Sequence, residues 1–182
     1  MSLQVPSKPS RKRAVAIAAA VALAVVGAVA NVRVAAAKQG VATVGRLAPA
    51  FVVERPDGRE LSSTSLRGRP LLINVFAAWC GTCRVEEPLL VKAYVKYRDR
   101  VAFLGIDEQE GTARAIAFAR ELHVPYPIAV DAGPFAASYD TSKIPETILI
   151  DGRGIVRAVH RGILSAAVLD RELGALARKE QT

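Results

Sequence analysis

Two segments of the chain are almost continuously apolar, without the alternation of polar residues that marks a strand with one solvated face. They are "PLLINVF" at 70–76 and "VAFLGID" at 101–107. Such runs are typical of strands buried on both faces of a sheet. The stretch between them, from Thr82 to Arg98, has helical character. The pattern therefore predicts a β-α-β unit with parallel strands, and an α/β fold with 70–76 as the central strand.

The remaining segments extend this unit on both sides. The turn residues "RPDG" between two short apolar stretches predict a hairpin from Phe51 to Leu61. Pro88 falls inside the first helix, where it removes a backbone hydrogen bond and should kink the helix. The later segments predict a helix over 111–123, a short strand over 124–130, helical turns over 133–140, strands over 146–151 and 155–162, and an amphipathic helix from Ser165, its N-cap, to Glu180.

The N-terminal part of the chain has a different character. An uncharged apolar run from Ala14 to Ala30 follows a basic leader, and as a helix it would span about 25 Å. The run fits a long signal peptide, but its length favours an uncleaved anchor. Either interpretation leaves the leader in the cytoplasm and the rest of the chain across the cytoplasmic membrane, on the periplasmic or extracytoplasmic side.

These features give a domain organisation with one folded unit. We predict a cytoplasmic tail over 1–13, a transmembrane anchor or signal peptide over 14–37, a tether over 38–46 and a single domain over 47–182.

The net charge of +8 could suggest a nucleic-acid-binding protein. Its distribution argues against that class, because residues 1–37 carry five basic and no acidic side chains. Residues 38–182 are only mildly basic and show no dense Lys/Arg stripe with interleaved aromatic residues. We therefore expect no nucleic-acid partner.

Both cysteines of the chain, Cys80 and Cys83, follow the central strand and open the first helix. The positive end of a helix stabilises a thiolate on the first cysteine, and a second thiol one turn later can resolve a mixed disulfide. A structural bridge is the main alternative, but a loop of two residues removes little unfolded-state entropy.

The same cysteines could belong to a metal site. The only histidines that could add ligands are His123 and His160, and they form no paired motif, so we expect no metal and no other cofactor. Arg84 stands where a C-x-x-C-H haem-attachment motif would have histidine.

Carboxylates and a distant proline could complete a site around the cysteines. Glu86 and Glu87 lie three and four residues after Cys83, so either could share its helix face and exchange its proton, or both could be solvated. Pro145 precedes a strand, where it could begin the strand or form a cis bond in a tight turn. The two histidines fit surface or structural positions better than catalytic ones.

Two stretches together, "INVFAAWCGTCRVEEP" and "IPETILIDGRGIVRAVHRG", resemble the membrane-anchored thioredoxin-like proteins of the TlpA/ResA/DsbE (CcmG) group. The similarity extends from about Val44 to Lys179, and the second motif is most similar to the DsbE type. The resemblance implies a thioredoxin fold, a central mixed β-sheet flanked by helices, with an N-terminal hairpin and a helical insertion around 111–143.

The resemblance also implies roles for individual residues. Cys80 would be the nucleophile and Cys83 the resolving thiol, together forming a redox-active disulfide. Pro145 would be a cis-proline whose loop faces the dithiol and pairs with the substrate backbone. Glu86, rather than Glu87, matches the acidic residue of the ResA-like active site, and it would handle protons because Asn74 stands where thioredoxin has a buried aspartate. Residues expected to support the site or contact substrate are Trp79, Ile144 and Glu146.

The activity implied is that of a thiol-disulfide oxidoreductase acting as a reductant in cytochrome c biogenesis. Its substrate would be apocytochrome c or a maturation protein that holds it, and its electrons would come from a transmembrane DsbD/CcdA-like reductase. Gly81-Thr82 departs from the proline-containing dipeptides common in this group, so the motif does not fix the redox potential. Alternatives are a general envelope disulfide reductase, a thiol peroxidase, and a tethered binding module with a structural disulfide.

Overall fold

The computed structural model describes residues 41–108 and 110–178. This part of the chain contains seven strands, four α-helices and one 3₁₀ helix. In chain order they are β1 (Val52–Glu54), β2 (Glu60–Ser62), the 3₁₀ helix (Ser63–Leu66), β3 (Leu71–Phe76), α1 (Gly81–Tyr97), β4 (Ala102–Glu108), α2 (Thr112–Glu121), β5 (Ile128–Asp131), α3 (Pro134–Tyr139), β6 (Glu146–Ile150), β7 (Val156–Arg161) and α4 (Ala166–Arg178).

All seven strands belong to one mixed sheet with the order β2-β1-β5-β4-β3-β6-β7. Strand β3 pairs in parallel with β4, where Leu72 lies opposite Phe103, and antiparallel with β6, where Asn74 lies opposite Thr147. Strand β4 also pairs in parallel with β5. The predicted α/β class and the central position of β3 are confirmed, and the carboxyl ends of β3 and β4 lie at the same edge of the sheet.

The two faces of β3 are buried in different hydrophobic clusters, as its unbroken apolar sequence predicts. Ile73 and its alternate neighbours pack with Phe135 and Tyr139 of α3 on one face. On the other face, Leu72 packs with residues of α1 and α4, among them Leu90 and Leu173. Helices therefore cover both sides of the sheet. Helix α1 begins after a short loop, residues 77–80, that follows the fully buried strand β3.

The predicted hairpin is confirmed, with Val53 opposite Leu61. At its turn, Gly58 has a φ of 78°, and Asp57 accepts hydrogen bonds from the backbone and guanidinium of Arg59. The predicted helix around Pro88 is also confirmed, and α1 continues through this residue. Ser165 caps α4 by accepting a hydrogen bond from the Val168 N–H at 3.3 Å.

The segment 111–143, expected as a helical insertion, contains a strand as well as two helices. Its strand β5 pairs in parallel with β4 and touches β1 through Glu54 and Val130. This strand matches the short strand predicted from the local sequence, and it joins the hairpin to the central sheet. The insertion is therefore part of the sheet rather than a purely helical addition.

The predicted tail 1–13, the anchor or signal peptide 14–37 and residues 38–40 of the tether lie outside the described residues. Where the tether is described, Ala42 donates a backbone hydrogen bond to Ser138 and Gly45 to Val156. These last tether residues are therefore hydrogen-bonded to the domain. Among the described helices, none combines the length and apolar character needed to cross a bilayer.

Candidate active site

Cys80 and Cys83 lie where β3 ends and α1 begins, and they form a disulfide with an S–S distance of 2.05 Å. Cys80 is the N-cap of α1, and its Sγ accepts a hydrogen bond from the Cys83 N–H at 3.1 Å. The first amides of a helix have no intrahelical partner, so once the disulfide opens they can stabilise negative charge on the Cys80 sulfur. Both cysteines are almost fully buried, packed with Phe76 and Phe118.

The loop before Cys80 is held by charged side chains that bind the backbone N–H and the backbone carbonyl of one residue, Ala78. The carboxylate of Glu110 accepts a hydrogen bond from the Ala78 N–H. The guanidinium of Arg84 donates to the Ala78 carbonyl at 3.1 Å and forms an ion pair of 2.6 Å with Glu121 of α2. These contacts hold the loop against the α2 side of the domain and engage the Arg84 guanidinium with Ala78 and Glu121.

Cys80 lies at the edge of an open groove. Exposed Trp79 and Thr82 line the groove, and the Thr82 hydroxyl lies 3.3 Å from the Cys80 Sγ. Ile144 and the charged residues Lys143 and Arg161 line it as well. Trp79 is 69% exposed, so a large apolar surface is available next to the disulfide for a protein partner.

Pro145 lies beside this groove, and the Ile144–Pro145 peptide bond is cis. The Pro145 carbonyl accepts a hydrogen bond from the Gly162 N–H at 2.8 Å, which ties the loop to the end of β7. Ile144 packs against the hydrophobic cluster that contains both cysteines. Two segments more than sixty residues apart in sequence thus meet at the disulfide, and the substrate-binding role of their residues stays a prediction.

Glu86 lies one helical turn after Cys83 and is buried rather than solvated. Its Oε1 accepts a hydrogen bond from the Leu164 N–H at 2.8 Å, and its Oε2 accepts one from the Asn74 amide at 3.0 Å. Burial raises the pKa of Glu86, although both hydrogen bonds favour the ionised form. A carboxylate one helical turn from Cys83 can accept the proton of that thiol, and this role of Glu86 remains a prediction.

Glu87 is equally buried, with 1% of its surface exposed. Its carboxylate accepts a hydrogen bond from the hydroxyl of Tyr126, which precedes β5. Burial raises the pKa of Glu87 to about 7, with a further contribution from the charge of Glu86, and the Tyr126 hydrogen bond partly opposes this rise. The local sequence pattern left the choice between the two carboxylates open, and the resemblance pointed to Glu86. Neither found Tyr126, because nothing local links that residue to a position 39 residues earlier.

Glu146 follows the cis-proline and lies buried under the groove. It forms an ion pair of 3.0 Å with the partly exposed Arg161. Burial raises the pKa of Glu146 to about 7, against the opposing effect of Arg161. Arg161 also lies 3.5 Å from Asp140, so this arginine joins three features at the groove: the loop before Pro145, strand β6 and strand β7.

The two histidines are not among the residues that line the groove. His123 is exposed in the turn after α2, with a φ of 52°, and His160 lies within β7 opposite Thr147. In the described ranges, no three or more His, Cys, Asp or Glu side chains lie in a cluster that could hold a metal ion.

The comparisons with known proteins agree with this geometry. The AhpC/TSA family model matches residues 44–159. The thiol:disulfide interchange protein DsbE of Pseudomonas fluorescens biotype C is 34% identical over 135 residues, which cover 72% of this chain and 74% of that protein. The DsbE protein of Pseudomonas aeruginosa is 36% identical over 74% of this chain and 76% of its own length.

A solved structure extends the similarity to the fold. A thiol:disulfide interchange protein of the thioredoxin family from Chlorobium tepidum TLS superposes with a TM-score of 0.66 and 27% identity, over 74% of this chain and 99% of that one. The sheet, the disulfide at the start of α1 and these relatives define a thiol-disulfide oxidoreductase with a thioredoxin-like fold. The chain belongs to the AhpC/TSA family, and within it to the DsbE-type thiol:disulfide interchange proteins.

Proposed function

We propose that this protein is an extracytoplasmic reductant, held at the cytoplasmic membrane by its apolar N-terminal segment, that keeps the cysteines of apocytochrome c, or of a maturation protein carrying it, reduced for haem attachment. The proposal has three parts: the direction of electron flow, the substrate and the location. The direction is argued from the contacts of the site, whereas the substrate and the location rest on the relatives and on the N-terminal sequence.

The observation that carries the reducing direction is that α1 buries two carboxyl groups one helical turn after Cys83, at Glu86 and Glu87, of which at least one is expected to carry negative charge. Negative charge near a thiol raises the thiol pKa and disfavours the thiolate. Oxidants such as DsbA owe their high potential to a stabilised reduced form. Destabilising the thiolate therefore destabilises the reduced form, lowers the redox potential and favours reduction of the substrate.

The reaction follows from the positions of the two sulfur atoms. The Cys80 thiolate attacks one sulfur of the substrate disulfide, so that a mixed disulfide forms and one substrate thiolate leaves. The Cys83 thiol then loses its proton and its sulfur attacks the Cys80 sulfur. The Cys80–Cys83 bond forms, the mixed disulfide breaks, and the second substrate thiolate leaves and is protonated. The substrate gains two electrons, and the protein returns to the disulfide form.

The proposed partners come from the resemblance to the DsbE type. A reductant of this type fits a substrate whose cysteines must be free thiols, as haem attachment to apocytochrome c requires. The oxidised protein then needs a source of two electrons across the membrane, and a transmembrane DsbD/CcdA-like thiol reductase supplies this chemistry. The basic leader and apolar run of the N-terminus support the membrane location.

The experiment uses the reduced full-length protein and a disulfide-linked peptide with the C-x-x-C-H motif. We expect stoichiometric conversion of the peptide to free thiols, and no conversion with the Cys80→Ser variant as a matched control.

In cells, deletion should lower the level of c-type cytochromes, and the wild-type protein should restore it where Cys80→Ser does not. Unchanged cytochrome levels together with an unreduced peptide would refute the proposal.

A further inference from the structure

Helix α1 buries two consecutive carboxyl groups, at Glu86 and Glu87, and they point to different neighbours. Glu86 reaches Asn74 of β3 and the backbone before α4, whereas Glu87 reaches Tyr126 before β5. In the described part of the chain, neither carboxyl group forms an ion pair with a lysine, arginine or histidine. Two adjacent buried negative charges without a cation are costly. The state with one ionised and one protonated carboxyl group is therefore favoured.

The hydrogen bonds decide which member carries this charge. Glu86 accepts two hydrogen bonds, one on each oxygen, and both stabilise the ionised form. Glu87 accepts one, from the Tyr126 hydroxyl, and its second oxygen has no hydrogen bond to another described residue. The asymmetry therefore assigns the negative charge to Glu86 and the proton to Glu87.

We propose that Glu87, held by Tyr126, is a positioning residue for the disulfide exchange: it stores the proton of the carboxyl pair, so that Glu86 stays ionised to accept the Cys83 proton and no second negative charge lies one helical turn from Cys83. The proposal concerns the chemistry of the dithiol itself. It does not depend on which protein is the natural substrate or on where the protein acts.

The step in which Glu87 matters is the closure of the Cys80–Cys83 bond. The proton leaves the Cys83 thiol for the Glu86 carboxylate, while the Cys83 sulfur attacks the Cys80 sulfur and the substrate sulfur leaves with its electron pair. Glu87 neither gains nor loses a proton in this step. When Glu87 is ionised, its charge raises the pKa of the Cys83 thiol one turn away, and the step becomes slower.

The groups around Glu87 set the pH at which its carboxyl group becomes ionised. The titratable groups that face it are Glu86 on its own helix and Tyr126 on the β4–β5 side, with Tyr94 in ring contact behind Tyr126. Burial and the Glu86 charge raise the pKa of Glu87 to about 7, and the Tyr126 hydrogen bond lowers it. Glu87 therefore changes from neutral to ionised as the pH rises through about 7.

The test compares Glu87→Gln and Tyr126→Phe with wild type as reduced full-length proteins reacting with oxidised glutathione between pH 5.5 and 8.5. The chain has a single tryptophan, Trp79, beside Cys80, so its fluorescence reports the rate of oxidation. Glutamine keeps the size of the side chain and an oxygen that accepts from Tyr126, but it cannot ionise. Glu60→Gln, on exposed edge strand β2, is the matched control for loss of a carboxylate.

We expect the wild-type and Glu87→Gln rates to agree at pH 5.5, and the wild-type rate to fall to about one-third to one-tenth of the variant rate by pH 8.5. In Tyr126→Phe, loss of the hydrogen bond should move the midpoint of this fall in rate to higher pH, and Glu60→Gln should follow wild type.

A ratio of the wild-type rate to the Glu87→Gln rate that stays constant over the whole pH range overturns the proposal. A Tyr126→Phe midpoint at or below that of wild type also overturns it. Because glutathione replaces the natural substrate, failure here leaves the proposed role in cytochrome c maturation untouched.

Discussion

The amide of Asn74 donates a hydrogen bond to the Glu86 carboxylate at 3.0 Å, and both side chains are fully buried. The same amide nitrogen lies 3.3 Å from the Thr147 hydroxyl on β6. Asn74 thus links β3, which precedes the disulfide, and β6, which follows the cis-proline, to the Glu86 carboxylate. The Asn74 amide is a neutral donor, so it stabilises negative charge on Glu86 without adding a further carboxyl group at position 74.

The first prediction replaces this donor with an acid of the same shape. Asn74→Asp puts two carboxyl groups in hydrogen-bond contact, which raises their folded-state pKa because both cannot ionise at low cost. A group with a raised folded pKa contributes stability at low pH that is lost as the pH rises towards that pKa. We expect a loss of unfolding free energy at pH 8 that exceeds the loss at pH 5 by about 2–4 kcal/mol. Urea unfolding of the oxidised protein measures both values, and equal losses at the two pH values would contradict the prediction.

The second prediction concerns the ion pair between Arg161 and Glu146. Burial already raises the pKa of Glu146 from 4.5 to about 7, so its protonated form is favoured in the folded protein and stability declines as the pH rises between these values. Arg161→Gln removes the cation that limits this rise, so the decline should continue above pH 7.

We expect Arg161→Gln to cost little at pH 5, where Glu146 is protonated in either protein, and about 1–2 kcal/mol at pH 8, a modest value because Arg161 is partly exposed. Urea titrations at the two pH values provide the comparison. A cost that is larger at pH 5 than at pH 8 would show that the pair does not act through the Glu146 charge.

The third prediction tests the packing of the sheet beside the site. A Cβ atom on Gly105 of β4 would lie 3.1 Å from the ring of Phe76 and 3.2 Å from the Ile128 side chain. Both neighbours are held in the sheet, so Gly105→Ala should destabilise the protein by about 1–3 kcal/mol.

Gly81→Ala is the control for this change, because its Cβ meets nothing within 4 Å and its position lies in the first turn of α1. Helix propensity predicts a small gain in stability there, of at most about 1 kcal/mol. Thermal unfolding of the oxidised variants distinguishes the two positions. A Gly105→Ala protein as stable as wild type would mean that the sheet can shift to accept a methyl group.

The sequence was sufficient for the features that depend on local pattern. The unbroken apolar run of β3 predicts a buried strand, and the cysteines after it fall at the start of α1 as expected. The elements that complete the site depend on contacts between distant positions: Tyr126 reaches Glu87 across 39 residues, and Glu110 reaches Ala78 across 32. Consecutive glutamates also resemble a solvated helix face in sequence, and only packing of α1 on the sheet reveals that both are buried.

The central claim is that Cys80 attacks the disulfide of a protein destined for haem attachment, and capture of the mixed disulfide tests it most directly. In Cys83→Ser, the complex formed by Cys80 cannot be resolved. After thiols are blocked in intact cells, mass spectrometry identifies the partner cysteine. The account predicts a cysteine in a C-x-x-C-H motif, or in a maturation protein that binds this motif, and no complex in Cys80→Ser. Capture by Cys80→Ser, or only of envelope proteins unrelated to c-type cytochromes, would contradict it.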